Sequence, residues 1–103
     1  MKRGEVRWYK FRAPDKKRPV VILTRDSILG YLHEVTVAPV TTTIRNIPSE
    51  VLLTEDDGLP ADCAINFDHI QTVSKYQLGA LISTLSHAKL SEARNALMFA
   101  LDL

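Results

Sequence analysis

The chain has 103 residues, 46% of them hydrophobic, a size and apolar content suited to one core and not two. Its formal net charge is only +1, and its single cysteine excludes an internal disulfide, as is usual in a reducing compartment. No segment approaches the roughly 20 apolar residues that span a bilayer, and the charged N-terminus lacks the apolar stretch of a signal peptide, so a cytoplasmic protein without a membrane partner is expected.

In chain order, EVRWYKF (5–11) is rich in aromatic and β-branched residues and reads as a strand. RAPDKK (12–17) supplies the turn signal Pro14-Asp15 between cations, and RPVVILT (18–24) is a continuous β-branched run, as in a strand buried on both faces. Pro19 is tolerable only at the start of that strand. The two strands make a hairpin with a basic tip. DSILGYLHE (26–34) is a short helical turn broken by Gly30, and VTVAPVTTT (35–43) is a third strand in which Pro39 implies an edge or a bulge.

SEVLLT (49–54) and DCAINFDHIQTV (62–73) read as two further strands, joined through EDDGLPA with its turn dipeptide Asp57-Gly58. Five short strands within 73 residues favour a small barrel. Ser74 and Gln77 have capping-box spacing, which predicts a brief helix before Gly79. ALISTLS (80–86) returns to a β-like alternation. From Ser86 onward Leu90, Ala93, Leu97, Ala100 and Leu101 recur at helical spacing, giving an amphipathic C-terminal helix that lies on the barrel. No repeat or linker divides the chain, so residues 1–103 are expected to form a single domain.

The small net charge hides an asymmetry. Residues 1–25 hold nine of the 13 Lys and Arg against Glu5 and Asp15 alone, and the acids concentrate in the remainder. Such separation suggests a basic face that meets a polyanion, and a solvated basic terminus accounts for it equally well. Metal chemistry has little support: Asp68-His69 and His33-Glu34 are neighbours that a strand would point to opposite faces, and no C-x-x-C or H-x-x-x-H pattern occurs. A structural or solvent-facing role is the preferred reading for all three histidines. The four glycines are never clustered, so no phosphate-cradling loop is present, and no nucleophile elbow occurs. Cys63, among small and apolar residues, reads as a buried hydrophobe.

What remains is a set of cations and hydroxyls near strand ends: Lys16, Lys17, Arg18 and Arg25, then Thr41, Thr42, Thr43 and Arg45. A guanidinium matches phosphate oxygens, and threonine can exchange hydrogen bonds with a phosphate or a ribose 2′-OH. Taken singly, the same residues are better explained by β-propensity and exposed ion pairs.

RGEVRWYKF, RPVVILT, VAPVTTTIRNIPSEVLL and FDHIQTVSKYQL, in that order and followed by an amphipathic helix, resemble the MazF/PemK family of toxin endoribonucleases over nearly the whole chain. The resemblance implies an SH3-like barrel with short helices, of the CcdB/PemK architecture, and a homodimer held inactive by a MazE-like antitoxin with an acidic, partly disordered tail. It also implies cleavage of single-stranded RNA (messenger, transfer or ribosomal) without metal or cofactor, leaving a 2′,3′-cyclic phosphate and a 5′-OH. On the family pattern the catalytic pair falls on Arg18 and Thr41. Lys16, Lys17, Arg25, Thr42, Thr43 and Arg45 would then bind RNA.

Two departures stand out. The loop 12–17 is shorter than the family's glycine-containing one, and the family's acid-Gln-Ile-Arg motif appears here as DHIQ, with Gln71 at the arginine position and read as a packing residue. Trp8 and Tyr9 read as core and rim residues rather than stacking platforms. Two other functions fit the same residues: a non-catalytic nucleic-acid-binding barrel, and a gyrase-directed toxin of the CcdB type.

Overall fold

The computed structural model describes residues 1–11 and 17–103. Within them the β-branched runs become seven strands: β1 (Glu5–Lys10), β2 (Lys17–Ile22), β3 (Glu34–Thr41), β4 (Glu50–Leu53), β5 (Cys63–Asn66), β6 (Gln71–Ser74) and β7 (Leu78–Thr84). A one-turn helix α1 (Asp26–Leu29) ends before Gly30, and the long helix α2 (His87–Leu101) closes the chain. The turn signal Pro14-Asp15 lies outside the described residues.

All strand pairs are antiparallel, in the order β4-β5-β3-β2-β1-β7, with β6 also on β3. The sheet is barrel-like without being closed, because β4 and β7 stand at its two ends and do not pair. A side chain bridges the gap instead: Ser83 Oγ of β7 donates to the Asp57 carbonyl, in the 3₁₀ turn (Glu55–Asp57) that follows β4. Gly58 makes this approach possible. It sits at φ 86°, and a Cβ there would stand 2.5 Å from Ser83 Oγ.

β3 is the strand on which the sheet turns. One flank pairs with β2 throughout Val37–Pro39, whereas the other pairs with β6 over Glu34–Val37 and with β5 over Val40–Thr41. The Leu23 amide donates to the Thr36 carbonyl, so alternation aims the backbone of Val37 and Pro39 at the second flank. Proline has no N–H to give, and it falls where the ladder changes partner. Pro39 therefore marks neither a sheet edge nor a bulge. It marks a switch between two partner strands.

The same switch explains why residues 62–73 are not one strand. Asn66 Oδ1 accepts from the Asp68 amide at 2.9 Å and starts a 3₁₀ turn (Phe67–His69) that separates β5 from β6. The helix expected at Ser74 is likewise only a 3₁₀ turn (Lys75–Gln77), with no side-chain cap. Ser74 still pairs with Glu34 in the sheet, and the Lys75 amide is taken by the His33 carbonyl at 3.0 Å, so the chain leaves the ladder too late to build a helix.

β2 is buried on both faces, as its continuous apolar run requires. Val21 packs with Val6, Val40, Leu53 and Phe67 in the larger core, while Val20 and Ile22 pack with Val35, Val37 and Val73 in a smaller one. α2 begins at Ser86, whose Oγ accepts from the Lys89 amide at 3.2 Å, and buries Ala93 and Ala96 with Leu90, Leu97 and Ala100 partly covered. Leu101 is not part of this stripe. It lies about 100° around the helix from Ala100 and stays exposed.

At the opposite edge Arg7 Nε holds Glu5 Oε1 at 2.9 Å while its Nη1 donates to the Gly79 carbonyl at 3.0 Å, tying β1 to β7 where their register shifts. Burial raises the Glu5 pKa, but hydrogen bonds from Arg7 and the Lys2 backbone and the Arg7 charge outweigh it and bring the carboxyl below its usual 4.5.

Replacing Gly58 with alanine is expected to destabilise the fold by about 1–2 kcal/mol in urea melts from the left-handed backbone alone, with the Ser83 clash in addition. Gly30→Ala, where nothing stands within 4 Å, should change stability by under about 0.5 kcal/mol. Because the Glu5 pKa is depressed on folding, its ionised form favours the native state above the unfolded-state pKa, and that gain is lost as pH falls through the folded value. The stability advantage of wild type over Glu5→Gln should thus be full at pH 7 and shrink below about pH 4.5, as measured by urea melts across that range.

Candidate functional site

Two neighbouring strand ends bring the site together. β2 and β3 pair Val20 with Pro39, Val21 with Ala38 and Ile22 with Val37. Extending that register by two residues sets Arg18 opposite Thr41, and the period of two puts both on the face of the smaller core. The two side chains line one open cavity of about 330 Å³. Phe11 and Pro39 form its apolar wall, and Thr43, Arg45, Asn66, His69 and Gln71 contribute polar groups.

Local hydrogen bonding holds these groups in place. Thr41 Oγ1 accepts from the Thr43 amide at 3.1 Å, a side-chain turn that ends β3 and leaves the Thr41 hydroxyl proton free to be donated. The Arg45 amide donates to Glu50 Oε1 at 2.9 Å, which pins the loop to the start of β4. Ser49 Oγ donates to Asp68 Oδ2 at 2.6 Å, anchoring the 3₁₀ turn that carries His69. Among the described residues the ion pairs are Arg7–Glu5 and Lys89–Glu92, so no described carboxylate pairs with the guanidinium of Arg18 or Arg45. Both guanidinium groups are exposed and available to an anion.

The other residues singled out from the sequence are distributed differently. Lys17 pairs with Lys10 across the hairpin and is exposed beside Arg18, and Lys16 lies outside the described residues. Thr42 is turned toward a second, apolar crevice of about 170 Å³, formed by Trp8, Pro19, Leu59, Pro60 and Cys63 and shared with Thr41. Arg25 precedes α1, beyond the far end of β2, roughly 20 Å along an extended strand from Arg18. The basic N-terminal segment therefore forms two poles rather than one face: Lys10, Lys17 and Arg18 at the hairpin tip, Arg3 and Arg25 near α1.

Tyr9 packs edge-on against Phe11 with centroids 4.8 Å apart, and its hydroxyl donates to Gln77 Oε1 at 3.2 Å, in keeping with a rim role. Gln71 is exposed and lines the Arg18 cavity, so it is not a packing residue. His69 and Asn66 also reach the cavity, which sequence reasoning missed. The signal was faint: Asn66 and His69 are three apart, a spacing that puts them together only because the chain turns between them.

Cys63 is buried at the floor of the apolar crevice. Burial, then the nearby Asp57 and Asp62 carboxylates, push its thiol pKa above the usual 9.0.

The chain is thus a mostly β protein: a barrel-like sheet with a C-terminal helix and an open cavity at its strand ends lined by an arginine and a threonine. Residues 2–101 match the family described as PemK-like, MazF-like toxin of type II toxin-antitoxin system, and the chain belongs to that family. It is 39% identical over 94 residues to a probable endoribonuclease, MazF2, of Mycobacterium tuberculosis, covering 90% of each chain. Among solved structures it is similar to the Mycobacterium tuberculosis toxin MazF-mt6, with 34% identity, TM-score 0.88 and coverage of 96% of this chain and 97% of that one. A mycobacterial endoribonuclease in complex with its cognate antitoxin superposes with TM-score 0.88 at 27% identity, over 100% of this chain and 96% of that one. No helix among the described residues is long and apolar enough to cross a membrane.

The buried, charge-repelled thiol of Cys63 should react with iodoacetamide at pH 8 at least about tenfold more slowly in the native protein than in urea, as followed by mass spectrometry.

Proposed function

We propose that this toxin is a metal-independent endoribonuclease that cuts single-stranded RNA at a phosphate held between Arg18 and Thr41. The observation that carries the proposal is the placement of these two side chains on adjacent strand ends, lining one open cavity with no described carboxylate on the guanidinium. The curated relatives named as endoribonucleases support the reaction class.

In the proposed reaction the ribose 2′-oxygen forms a bond to the adjacent phosphorus as the bond from phosphorus to the 5′-oxygen breaks. The 2′-hydroxyl proton leaves to solvent or a nearby acceptor, and the departing 5′-oxygen gains a proton. The products are a 2′,3′-cyclic phosphate and a 5′-OH. Negative charge grows on the non-bridging oxygens, where a fixed guanidinium lowers the barrier most. Arg18 supplies that charge. A guanidinium gives up its proton reluctantly, so Arg18 acts as an electrostatic clamp. Thr41, with its oxygen already accepting from the Thr43 amide, donates its hydroxyl proton to a phosphate oxygen and fixes the angle of attack.

Thr43, Arg45 and Lys17 extend the binding surface around this point. Residues 1–103 act as one domain and the working unit is a homodimer. A cognate antitoxin with an acidic segment would silence it by occupying the cationic cavity; the antitoxin-bound mycobacterial structure supports such a partner.

The purified protein, incubated in EDTA with mixed-sequence single-stranded RNA, is expected to yield discrete fragments ending in 2′,3′-cyclic phosphate and 5′-OH. Arg18→Ala and Thr41→Ala should each cut about 10²–10³-fold more slowly while melting near the wild-type temperature. Bound but uncut RNA across diverse sequences would replace the enzyme with a non-catalytic binding module.

A further inference from the structure

The ribonuclease reading uses the cations and hydroxyls of the cavity and leaves one chemically versatile group unassigned. His69 lines the same cavity as Arg18 and Thr41. Its ring is held by Asn66, a side chain only 5% exposed. Asn66 Oδ1 is committed to the Asp68 amide at 2.9 Å, which fixes the orientation of the amide group and turns its Nδ2 to His69 Nδ1 at 3.3 Å. An amide nitrogen only donates, so Nδ1 must accept. The ring proton then sits on Nε2, the nitrogen away from Asn66.

Among the described residues, Asn66 Nδ2 is the hydrogen-bond partner of Nδ1. The Asp68 carboxylate, one residue away, takes its short hydrogen bond from Ser49 Oγ at 2.6 Å. The charged side chains sharing the cavity, Arg18 and Arg45, are donors only. The cavity therefore contains cations, hydroxyls, the amides of Asn66 and Gln71, and one imidazole whose tautomer is set from behind.

We infer that His69 is a fixed hydrogen-bond donor to the RNA, presenting Nε2–H to an acceptor oxygen or nitrogen of the bound strand, and not an acid–base group. This rests on the ribonuclease reading. An imidazole in this tautomer has one proton, and giving it up outright would leave an imidazolate, so it donates without transferring. A protonated ring would set an N–H against the Asn66 N–H. The acceptor is either a non-bridging phosphoryl oxygen, in which case His69 adds to the clamp, or an acceptor atom on a base edge, in which case it selects the sequence cut. Glutamine can present an amide N–H at about the reach of imidazole Nε2, whereas alanine cannot.

The test compares wild type, His69→Gln and His69→Ala on mixed-sequence single-stranded RNA in EDTA, together with ¹⁵N NMR of the histidine rings in the wild-type protein. The expected result is a loss of about 10²–10³-fold in His69→Ala, recovery to within about tenfold of wild type in His69→Gln, and ¹⁵N shifts placing the His69 proton on Nε2. A loss uniform over all cut sites identifies the phosphoryl oxygen, and a changed choice of cut site identifies the base. Wild-type rate and cut sites in His69→Ala would overturn the inference, as would a His69→Gln variant no better than alanine. A protonated Nδ1 would overturn it by a readout independent of cleavage. Should wild type cut no RNA, the ribonuclease reading fails and the RNA acceptor with it, while the NMR result still decides the tautomer.

Discussion

The structure depends on a missing hydrogen-bond donor at Pro39. β3 is the only described strand that exchanges partners along one flank, from β6 to β5, and the exchange occurs where proline has no N–H to offer. A residue with an amide there would carry a donor with no strand partner in the gap on that flank, facing the open cavity instead of a ladder. The gap admits the 3₁₀ turn Phe67–His69. Phe67 is driven into the larger core, and His69 is left on the cavity side. One proline thus makes room for the wall of the site.

The rest of the cavity follows from register. Because β2 and β3 are locked by Val20–Ile22 against Val37–Pro39, and because β2 is buried on both faces, a slip of one residue would exchange its side chains between the two cores and spoil the packing of both. The penalty for that slip is what fixes Arg18 opposite Thr41. The proposed catalytic pair therefore has its geometry set by core packing several residues away, and the side chains themselves contribute little to holding it. This is the usual economy of a site built on rigid elements: the scaffold is stabilised by burial, and the exposed ends of its strands stay free to meet a ligand.

The charge pattern has a similar logic. The basic excess of the first 25 residues divides between two ends of the sheet, since Lys10, Lys17 and Arg18 stand where β1 ends and β2 begins, whereas Arg3 precedes β1 and Arg25 follows β2. Only the hairpin-tip pole adjoins the cavity. Arg7, in the middle, is turned inward to Glu5 and Gly79 and joins β1 to β7 instead of facing solvent charge. At the open seam the corresponding tie is Ser83 to Asp57, which needs Gly58. These two polar contacts stand at either side of β7 and hold a sheet whose ends do not pair.

By itself the sequence determined the strands made of β-branched runs, the termination of α1 before Gly30, the Ser86 cap and the apolar stripe of α2. It did so because these depend on side chains a few residues apart. It also supplied the order of motifs that indicates the family, and it brought Arg18, Thr41, Thr43 and Arg45 forward as candidates. Tertiary structure decided what depends on distant pairing. Residues 62–73 are divided by a turn because β3 has two partners; Ser74 continues a ladder with Glu34 instead of capping a helix; Arg25 stands apart from Arg18 because β2 lies between them. Asn66, His69 and Gln71 join the cavity only after β5 and β6 dock on the same flank of β3, and no local pattern of hydrophobicity or spacing encodes that docking.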